Sequence, residues 1–478
     1  MLTLRNITIW DTGETIDLVI PEADAQRLFA ETGAVTDGEF DATGLTVAPG
    51  FADPHVHFRD PGQTYKESMI SGCRASASGG YTNVLIMPNT VPAMDGETVT
   101  AGEPGASEVL DAGYSTVIDY LQHYEQVHST ALPVRYDLCV CASKGRVGKE
   151  ATDPERWRDY LPSSSTVRGE AKDAYQLAHP VTAVSDDGSA VTPHILDEVL
   201  HHVADTGLYL IEHCEHHDTG AVNEGPVSRK LGVPGIPEDT ELKIVARDIE
   251  KARETGVHVH FQHVSTAISF DAIRKAKAEG LPITCETAPH YIALCDEDLL
   301  KYGTLAKMNP PLRSAADRQA TIAAIADGTV DMLATDHAPH TLEEKERGFL
   351  EAPNGIIGLE CAYGVAHKVL VDGGYIDDKR LIELMSVAPQ RLMGHAPTDV
   401  AGLLNTSSRC AIQRTLNLSQ VEHPELVDLV ILNTNERWTV DPEAFHSAAR
   451  NTPFGGWQVT GRPLATIIGS KLVFSRIK

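Results

Sequence analysis

Short runs of β-branched and apolar residues alternate with helix-like stretches through most of this chain. Strand–helix alternation requires right-handed crossovers and produces a parallel sheet. Eight repeats of the unit predict an α/β fold, a closed (β/α)8 TIM-like barrel rather than an open sheet. The eight strand-like runs lie at 47–54, 81–89, 134–141, 181–185, 208–213, 257–263, 282–287 and 331–336.

The two ends of the chain have a different pattern. Residues 1–50 are strand-like and punctuated by Gly and Asp, and residues 426–478 again show short alternating strands without long helices between them. We therefore predict a small β-domain built from both termini, with its N-terminal part at 1–50 and its C-terminal part at 396–478. The barrel would occupy 51–395, and the polar stretch 151–175 would be a surface insertion.

Composition excludes several classes of partner. The chain carries 67 acidic against 40 basic residues, a net charge of −27, which argues against a nucleic-acid or anionic membrane surface. The N-terminus lacks a basic start followed by an apolar block, so we expect no signal peptide. The eight cysteines are scattered without a CxxC pair, as in a cytoplasmic protein with reduced thiols. Cys139 and Cys141 share a strand face, where core packing is favoured over a metal site.

Five of the eight runs end in, or are followed by, residues of the types that bind metals. In a barrel the active site lies at the carboxyl ends of the strands, and two histidines at i and i+2 point to the same side of a strand. Four imidazoles and two carboxylates suit a pair of zinc ions, with one carboxylate bridging them and a hydroxide between them. The residues concerned are His55, His57, Asp186 with Asp187, His213, His263 and Asp336.

One histidine among 21 is weak evidence for a metal site, because a histidine is more often a surface or hydrogen-bonded residue. His258 and His260 even repeat the HxH spacing of the first run. The coincidence of ligand-type residues at five strand ends is what favours a two-metal centre.

Further polar residues follow the same strand ends. Arg59 lies two residues after His57 and can hold a carboxylate through two hydrogen bonds. Asn89 ends the second run, Asn309 lies in "KMNPPLR", and His340 follows Asp336 by four residues. Arg59 could instead form a surface salt bridge, and Asn89 could be a turn residue, but their position favours a role in binding a small anionic amide.

The motifs of this chain resemble those of the dihydroorotases, of the class I type, in the amidohydrolase superfamily. The resemblance runs from about residue 45 to the C-terminus, where residues 437–463 look like the closing segment of that family. It implies the reversible cyclisation of N-carbamoyl-L-aspartate to L-dihydroorotate in pyrimidine biosynthesis. The motifs are "DPHVHFRDPG", "MPNT", "SDDG", "EHCE", "HVST", "CETAPHY", "KMNPPLR", "ATDHAPH" and "GIIGLE".

The resemblance also implies roles for individual residues. Two Zn2+ ions would be bound per chain, one by His55, His57 and Asp336 and the other by His213 and His263, with Asp187 bridging them. The substrate would be bound by Arg59, Asn89, Asn309 and His340, beside His57, with the backbone of Asn354 and Gly355 closing over the ring.

The implied mechanism follows from the chemistry of such a centre. A hydroxide held between two zincs is nucleophilic at neutral pH and would attack the ring amide, whose carbonyl one metal polarises. Asp336 would accept the hydroxide proton and deliver it to the leaving nitrogen. Ring closure consumes one proton, so lower pH should favour dihydroorotate.

The chain departs from the wider superfamily at the fourth run. Many members bridge their metals with a carboxylated lysine there, whereas this run ends in "VSDDG". An aspartate must therefore bridge, and the family's DDG motif favours Asp187 while leaving Asp186 as the alternative. The stretches 151–175 and 401–426 are longer than is usual in the family, and no role for them can be inferred.

Two other readings compete with a dihydroorotase. Allantoinases and hydantoinases lack the arginine of "HFRDPG", because their substrates carry no ring carboxylate, so Arg59 disfavours them. A non-catalytic scaffold for aspartate transcarbamoylase should have lost metal ligands, and none is lost here. Association with that enzyme and with further copies of the chain remains an expectation from the resemblance. The polar segment 340–355 is our candidate for a mobile loop over the site.

Overall fold

The protein is described here from a computed structural model covering residues 1–162, 179–215, 220–407 and 414–478. These residues form nineteen strands, which in chain order are β1 (Leu2–Ile9), β2 (Thr15–Ile20), β3 (Phe29–Ala30), β4 (Gly38–Asp41), β5 (Thr46–Pro49), β6 (Phe51–Val56), β7 (Tyr81–Ile86), β8 (Arg135–Cys141), β9 (Val181–Ser185), β10 (Leu210–Glu212), β11 (Val222–Asn223), β12 (Gly235–Ile236), β13 (Val259–Phe261), β14 (Ile283–Thr287), β15 (Met332–Leu333), β16 (Thr415–Asn417), β17 (Leu429–Thr439), β18 (Gln458–Ile468) and β19 (Lys471–Ser475).

The helices of the same residues lie mostly between the strands of the barrel. They are α1 (Met69–Ser78), α2 (Ala106–Asp111), α3 (Val117–Gln122), α4 (Tyr124–Val127), α5 (Leu196–Thr206), α6 (Pro226–Leu231), α7 (Asp239–Thr255), α8 (Ala267–Ala278), α9 (Pro289–Ala293), α10 (Leu299–Tyr302), α11 (Ala315–Ala326), α12 (Leu342–Lys345), α13 (Ala362–Ala366), α14 (Asp378–Ile382), α15 (Ala388–Leu392) and α16 (Val400–Ser407). No helix of the described chain is both long and apolar enough to cross a membrane.

Eight strands lie side by side in chain order to form the barrel. They are β6, β7, β8, β9, β10, β13, β14 and β15, and each neighbouring pair is parallel. A parallel bridge between Val56 and His337 joins the chain after β15 to β6, and the His57 amide donates to the His337 carbonyl at 3.0 Å. Seven of the eight predicted runs each contain one of these strands, and the first, 47–54, spans the end of β5 and the start of β6. The predicted (β/α)8 barrel is therefore confirmed.

The barrel interior is packed rather than hollow. Side chains that alternate along neighbouring strands form a buried apolar cluster that includes Ala52, Leu85, Cys139, Ala183 and Ile211. Residues at this spacing point to the same side of a strand. These side chains fill part of the interior, and the active site of such a barrel lies at the carboxyl ends of the strands. The seven cysteines that the structure describes are all buried and unpaired.

The second sheet combines both ends of the chain, as predicted. Its order is β16-β2-β1-β5-β17-β18-β19-β3, with β4 paired to β1. The antiparallel pairing of β5 with β17, in which Val47 lies opposite Ile431, connects the N-terminal strands to the C-terminal ones. Leu4, Val47, Ile431 and Leu472 belong to the separate core of this sheet. The domain boundaries after residues 50 and 395 stay a prediction.

The two unusually long stretches are described only in part. Residues 163–175 of the predicted insertion, and residues 408–413 of the segment 401–426, lie outside the described residues. In the part of the insertion that is described, Trp157 is buried in the barrel core. In the other segment, β16 adds a strand to the terminal sheet beside β2.

Candidate metal centre

Six predicted ligands converge at the carboxyl end of the barrel. Each is at most 5% exposed. Each lies within a strand or at most three residues after its end, and the two histidines of the first run share β6. Two subsets have ligand atoms within 4.8 Å of one another: His55, Asp187 and His263, and His55, His57 and Asp336. The strands thus bring together the residues that the sequence pattern selected.

Asp187 occupies the middle of this group. Its Oδ1 atom lies 3.4 Å from His55 Nε2 and 3.4 Å from His213 Nδ1, and its Oδ2 atom lies 3.5 Å from His57 Nε2. His263 Nε2 lies 4.0 Å from Asp187 Oδ1 and 3.0 Å from His213 Nδ1. A carboxylate facing both halves of the group is in the position that a bridging ligand requires.

Asp336 completes one half of the group. Its Oδ1 atom lies 3.0 Å from His57 Nε2 and 3.5 Å from His55 Nε2. The same oxygen therefore faces the two histidine nitrogens that a shared cation would contact. This carboxylate approaches from the last strand of the barrel, across the centre from Asp187.

The neighbouring Asp186 faces away from the histidines. Its Oδ1 atom accepts the Ser143 amide at 2.9 Å, and its Oδ2 atom accepts the Ser143 hydroxyl. Asp186 thereby connects the end of β9 to the loop after β8. Of the two aspartates left open by the sequence, Asp187 has the geometry of the bridging residue.

The two histidines of β6 are oriented by a second layer of polar groups. Glu286 Oε1 accepts from His55 Nδ1 at 2.8 Å, and Asn89 Oδ1 accepts from His57 Nδ1 at 2.9 Å. A proton on Nδ1 leaves the lone pair of Nε2 directed at the centre, the tautomer that binds metals. The other oxygen of Glu286 faces His260 Nε2 at 3.1 Å.

The charges at the centre favour a bound cation. Burial opposes ionisation of Asp187 and Asp336, but His55 and His57 outweigh it and hold the pKa of both carboxyls well below the usual range. Burial is the main cause that lowers the pKa of His263 to about 3. Burial opposes the charge on His55 and His213, but the carboxylates outweigh it, raising the pKa of His55 well above its usual value and that of His213 to about 9. Two ionised carboxylates thus attract positive charge to the centre, and a bound metal would displace the protons of these histidines. The donor set fits zinc, which prefers histidine nitrogen and carboxylate oxygen.

Three residues of the site have a backbone conformation that side chains disfavour. The φ angles are 58° at Arg59, 35° at His263 and 46° at Asp336. Left-handed conformations at residues other than glycine cost about 1–3 kcal/mol each and cluster at functional sites.

Arg59 and His340 lie together beside the ligands. Arg59 Nε donates to the Pro339 carbonyl at 3.4 Å, and its Nη2 lies 3.4 Å from His340 Nε2. Lys66 Nζ donates to His340 Nδ1 at 3.3 Å, so Nε2 carries the ring proton and donates to the Asn354 carbonyl at 2.9 Å. Burial, together with the charge of Arg59, lowers the pKa of His340 to about 2, so the ring is neutral.

The remaining predicted substrate residues contact the ligands or their neighbours. Asn89 Nδ2 donates to Asp187 Oδ2 at 3.1 Å, so both ends of this amide touch predicted metal ligands. Asn309 Nδ2 lies 3.3 Å from His213 Nε2. Gly355 has a φ of 150°, and a Cβ there would lie 2.6 Å from the Ala338 carbonyl oxygen.

Sequence reasoning missed Glu286 and His260. Glu286 lies within β14, is 1% exposed and joins His260 to His55. The available signal was an acidic residue inside an apolar strand, because buried carboxylates are rare unless they have a partner. The sequence alone does not say which residue that partner is.

Comparison with known proteins finds relatives over nearly the whole chain. Residues 46–398 match the model of the amidohydrolase family. The dihydroorotase of Citrifermentans bemidjiense is 35% identical over 99% of this chain and 99% of its own length. The dihydroorotase of Lactiplantibacillus plantarum is 36% identical over 99% of this chain and 98% of its own length.

Solved structures with the same architecture belong to hydantoinases. The L-hydantoinase (dihydropyrimidinase) of Arthrobacter aurescens has a TM-score of 0.71 at 21% identity and covers 100% of this chain and 96% of its own. The D-hydantoinase (dihydropyrimidinase) of a Thermus species has a TM-score of 0.68 at 21% identity and covers 99% of this chain and 95% of its own. At such identities the likeness supports the fold alone.

Proposed function

The chain belongs to the amidohydrolase family and is a hydrolase that acts on a cyclic amide, and we propose that it is a zinc-dependent dihydroorotase. Its reaction would be the reversible interconversion of N-carbamoyl-L-aspartate and L-dihydroorotate. The full-length relatives carry that name, and the residues around the centre suit a small anionic substrate.

The observation that carries this proposal is that the charged guanidinium of Arg59 has no carboxylate partner among the described residues. No carboxylate lies within ion-pair distance of its guanidinium in the residues described, and its protein contacts are the Pro339 carbonyl and the His340 ring. Loss of water lowers the pKa of Arg59 only to about 10, so the group stays charged at neutral pH. A partly buried cation without an anionic partner, beside a metal centre, is a site for a substrate carboxylate. Dihydroorotate carries one on its ring.

Two zinc ions would be held by His55, His57 and Asp336 on one side and by His213 and His263 on the other, with Asp187 between them. When bound, such ions lower the pKa of the water they hold and polarise the amide carbonyl.

Asp336 would move the proton that the reaction requires. Its low pKa keeps it a carboxylate before reaction, so it can accept a proton from the attacking water. Ring opening forms a carbon–oxygen bond, breaks the carbon–nitrogen bond and needs that proton on the nitrogen. The second proton of the water is released when the new carboxylic acid ionises. Lowering the pH by one unit should therefore shift the equilibrium about tenfold toward dihydroorotate, because ring closure consumes one proton.

Arg59, Asn309 and His340 would hold the substrate while the proton moves. A guanidinium fixes a carboxylate through two parallel hydrogen bonds and so sets the orientation of the ring. Asn89 already orients His57 and Asp187, so it would act on the substrate and on the ligands together.

A hydantoinase is the second candidate, because solved hydantoinases share the fold over nearly the whole chain. Hydantoin and dihydrouracil lack the ring carboxylate, so they offer nothing to Arg59. The two candidates therefore differ in the effect of removing Arg59. Turnover should fall in a dihydroorotase and stay unchanged in a hydantoinase.

The test is hydrolysis of L-dihydroorotate by the purified chain with its zinc content measured, beside dihydrouracil, hydantoin and allantoin. Arg59→Ala should lower kcat/KM for dihydroorotate about 30- to 150-fold, which corresponds to about 2–3 kcal/mol for hydrogen bonds to a charged group. Dihydrouracil, the same ring without the carboxylate, is the matched control. Its kcat/KM should be the same in Arg59→Ala as in the wild type.

The outcomes separate the candidates. Turnover of dihydroorotate that needs both zinc and Arg59 supports the proposal. Faster turnover of hydantoin or dihydrouracil, unaffected by Arg59→Ala, would replace it with the second candidate. If the zinc-loaded chain is inactive alone, aspartate transcarbamoylase should be added and complex formation followed by size-exclusion chromatography. Inactivity in its presence would contradict the proposal.

A further inference from the structure

Lys345, at the end of α12, is a buried lysine that binds only backbone carbonyls. It is 1% exposed, and its Nζ atom donates to the carbonyls of Lys307 at 3.2 Å, Pro353 at 2.9 Å and Gly355 at 2.9 Å. Within the described chain no carboxylate pairs with it. An ammonium group has three donors, and each has its own acceptor here.

A buried lysine without a carboxylate partner destabilises the fold. A buried cation normally has a carboxylate partner, because leaving water disfavours the charged form. Burial, with the nearby charge of Lys307, lowers the pKa of Lys345 to about 7. An apolar side chain would fill the space behind a short helix without this cost. The carbonyl contacts themselves are therefore what the lysine supplies.

The three carbonyls belong to segments that carry predicted substrate residues. The Lys307 carbonyl lies two residues before Asn309, and the Pro353 and Gly355 carbonyls lie on either side of Asn354. α12 itself begins directly after Thr341, so Lys345 also ties these segments to the chain that carries His340.

The peptide groups around Gly355 are fixed on every side. The Gly355 amide donates to the Lys307 carbonyl at 3.0 Å. The Gly355 carbonyl accepts from Asn451 Nδ2 at 3.1 Å as well as from Lys345. The Asn354 carbonyl accepts from the ring of His340. Removing the Lys345 side chain would take one donor from each of its three carbonyls and break their link to α12, while the Gly355–Lys307 backbone bond would remain.

We propose that Lys345 is a positioning residue, which sets the spacing of the segments around Asn309, His340 and Gly355 and so the fit of the substrate ring. The inference rests on the proposed function, since that function gives these segments their contact with substrate. Lys345 touches no predicted metal ligand, so its effect should fall on substrate affinity rather than on metal binding.

The experiment compares Lys345→Met with Lys307→Met in the full-length, zinc-loaded chain. Lys307 is the matched control because it is also buried, at 7% exposure, and its Nζ atom donates to a single carbonyl, that of Ala352, at 2.6 Å. Its own backbone carbonyl remains in the variant. KM and kcat for dihydroorotate are measured together with zinc content and hydrogen exchange of backbone amides.

Lys345→Met should raise KM for dihydroorotate about tenfold, because small displacements of substrate-positioning groups have effects of that size or larger. Zinc content should not change, and amides in 303–309 and 350–357 should exchange faster than in the wild type. Lys307→Met removes a single contact between the same two segments, that of Lys307 Nζ with the Ala352 carbonyl, and none to α12, so it should raise KM by only about twofold.

An unchanged KM in Lys345→Met, or an equal rise in both variants, would overturn the inference. If Lys345→Met does not fold, Lys345→Gln, whose amide donates two hydrogen bonds, should give a smaller rise in KM and faster exchange in the same two segments. A wild-type chain that does not turn over dihydroorotate even with aspartate transcarbamoylase added would refute the proposed function instead. The exchange measurement would then still report whether Lys345 holds the segments together.

Discussion

Replacing Glu286 with glutamine should weaken zinc binding, although Glu286 is not among the predicted ligands. Its two oxygens accept from His55 Nδ1 at 2.8 Å and from His260 Nε2 at 3.1 Å. Burial opposes ionisation of Glu286, but the hydrogen bonds from His260 and His55 outweigh it and lower its pKa to about 2. The charged carboxylate thus holds the His55 proton on Nδ1 and leaves Nε2 free for a metal.

The size of the effect follows from the two ways in which the glutamine amide can be placed. If its nitrogen faces His55, it donates to Nδ1 and forces the ring proton onto the ligand atom Nε2. If its nitrogen faces His260 instead, the proton of that ring moves to Nδ1, where the Thr284 hydroxyl at 2.8 Å can accept it. The second arrangement costs about one hydrogen bond, ~1–1.5 kcal/mol, in addition to the lost charge. We expect zinc affinity to fall about 10- to 100-fold.

The assay is competition for zinc between a chelator of known affinity and the wild type, Glu286→Gln or Glu360→Gln. Glu360 is the control because it is a buried carboxylate, 6% exposed, that accepts from Ser78 and Ser447 and contacts none of the six predicted ligands. Zinc binding by Glu286→Gln as tight as in the wild type would refute the reasoning. An equal loss of zinc affinity in Glu360→Gln would mean that removing any buried charge weakens zinc binding.

Two further predictions test the choice of Asp187 over Asp186 and the ion pair between His395 and Asp137. Asp187→Asn should abolish binding of the zinc pair, whereas Asp186→Asn, whose side chain meets Ser143 instead, should retain it; metal analysis of both variants decides. Burial opposes the charge on His395, but Asp137, 2.7 Å away, outweighs it and raises the His395 pKa above 6.5. That stabilisation is complete below pH 6.5 and is lost as pH rises through the raised pKa. His395→Gln should therefore unfold more easily at pH 6, by roughly 1 kcal/mol, and match the wild type in alkali, as thermal unfolding at both pH values would check.

The predicted ligands could be found in the sequence because the rule that places them is local. Each follows a run whose strand character can be recognised from its own residues, and the barrel brings all strand ends to one mouth. His213 directly follows β10, and Asp187 follows β9 by two residues. Each of them alone is weak evidence, so the selection also needed the coincidence of such residues at five strand ends and, for Asp187, the family's DDG motif.

The supporting residues could not be found in this way. His55 and Glu286 are 231 residues apart in the chain, and the Lys345 contacts join segments separated by up to 38 residues. Which buried polar group meets which depends on strand register and loop path, and neither is written in a single segment. A buried acidic or basic residue indicates that a partner exists, not where it lies.

The choice between Asp186 and Asp187 shows the same limit on a smaller scale. Successive side chains of an extended chain point to opposite sides, so the sequence predicts that one of the two faces the centre. Ser143 binds the Asp186 carboxylate, and Arg146 Nη1 donates to the Asp187 carbonyl at 2.5 Å. Both contacts come from the loop after β8. Because Ser143 engages the Asp186 carboxylate, the end of β9 is fixed with Asp187 turned toward the histidines, and no residue of the β9 segment itself could have predicted that contact.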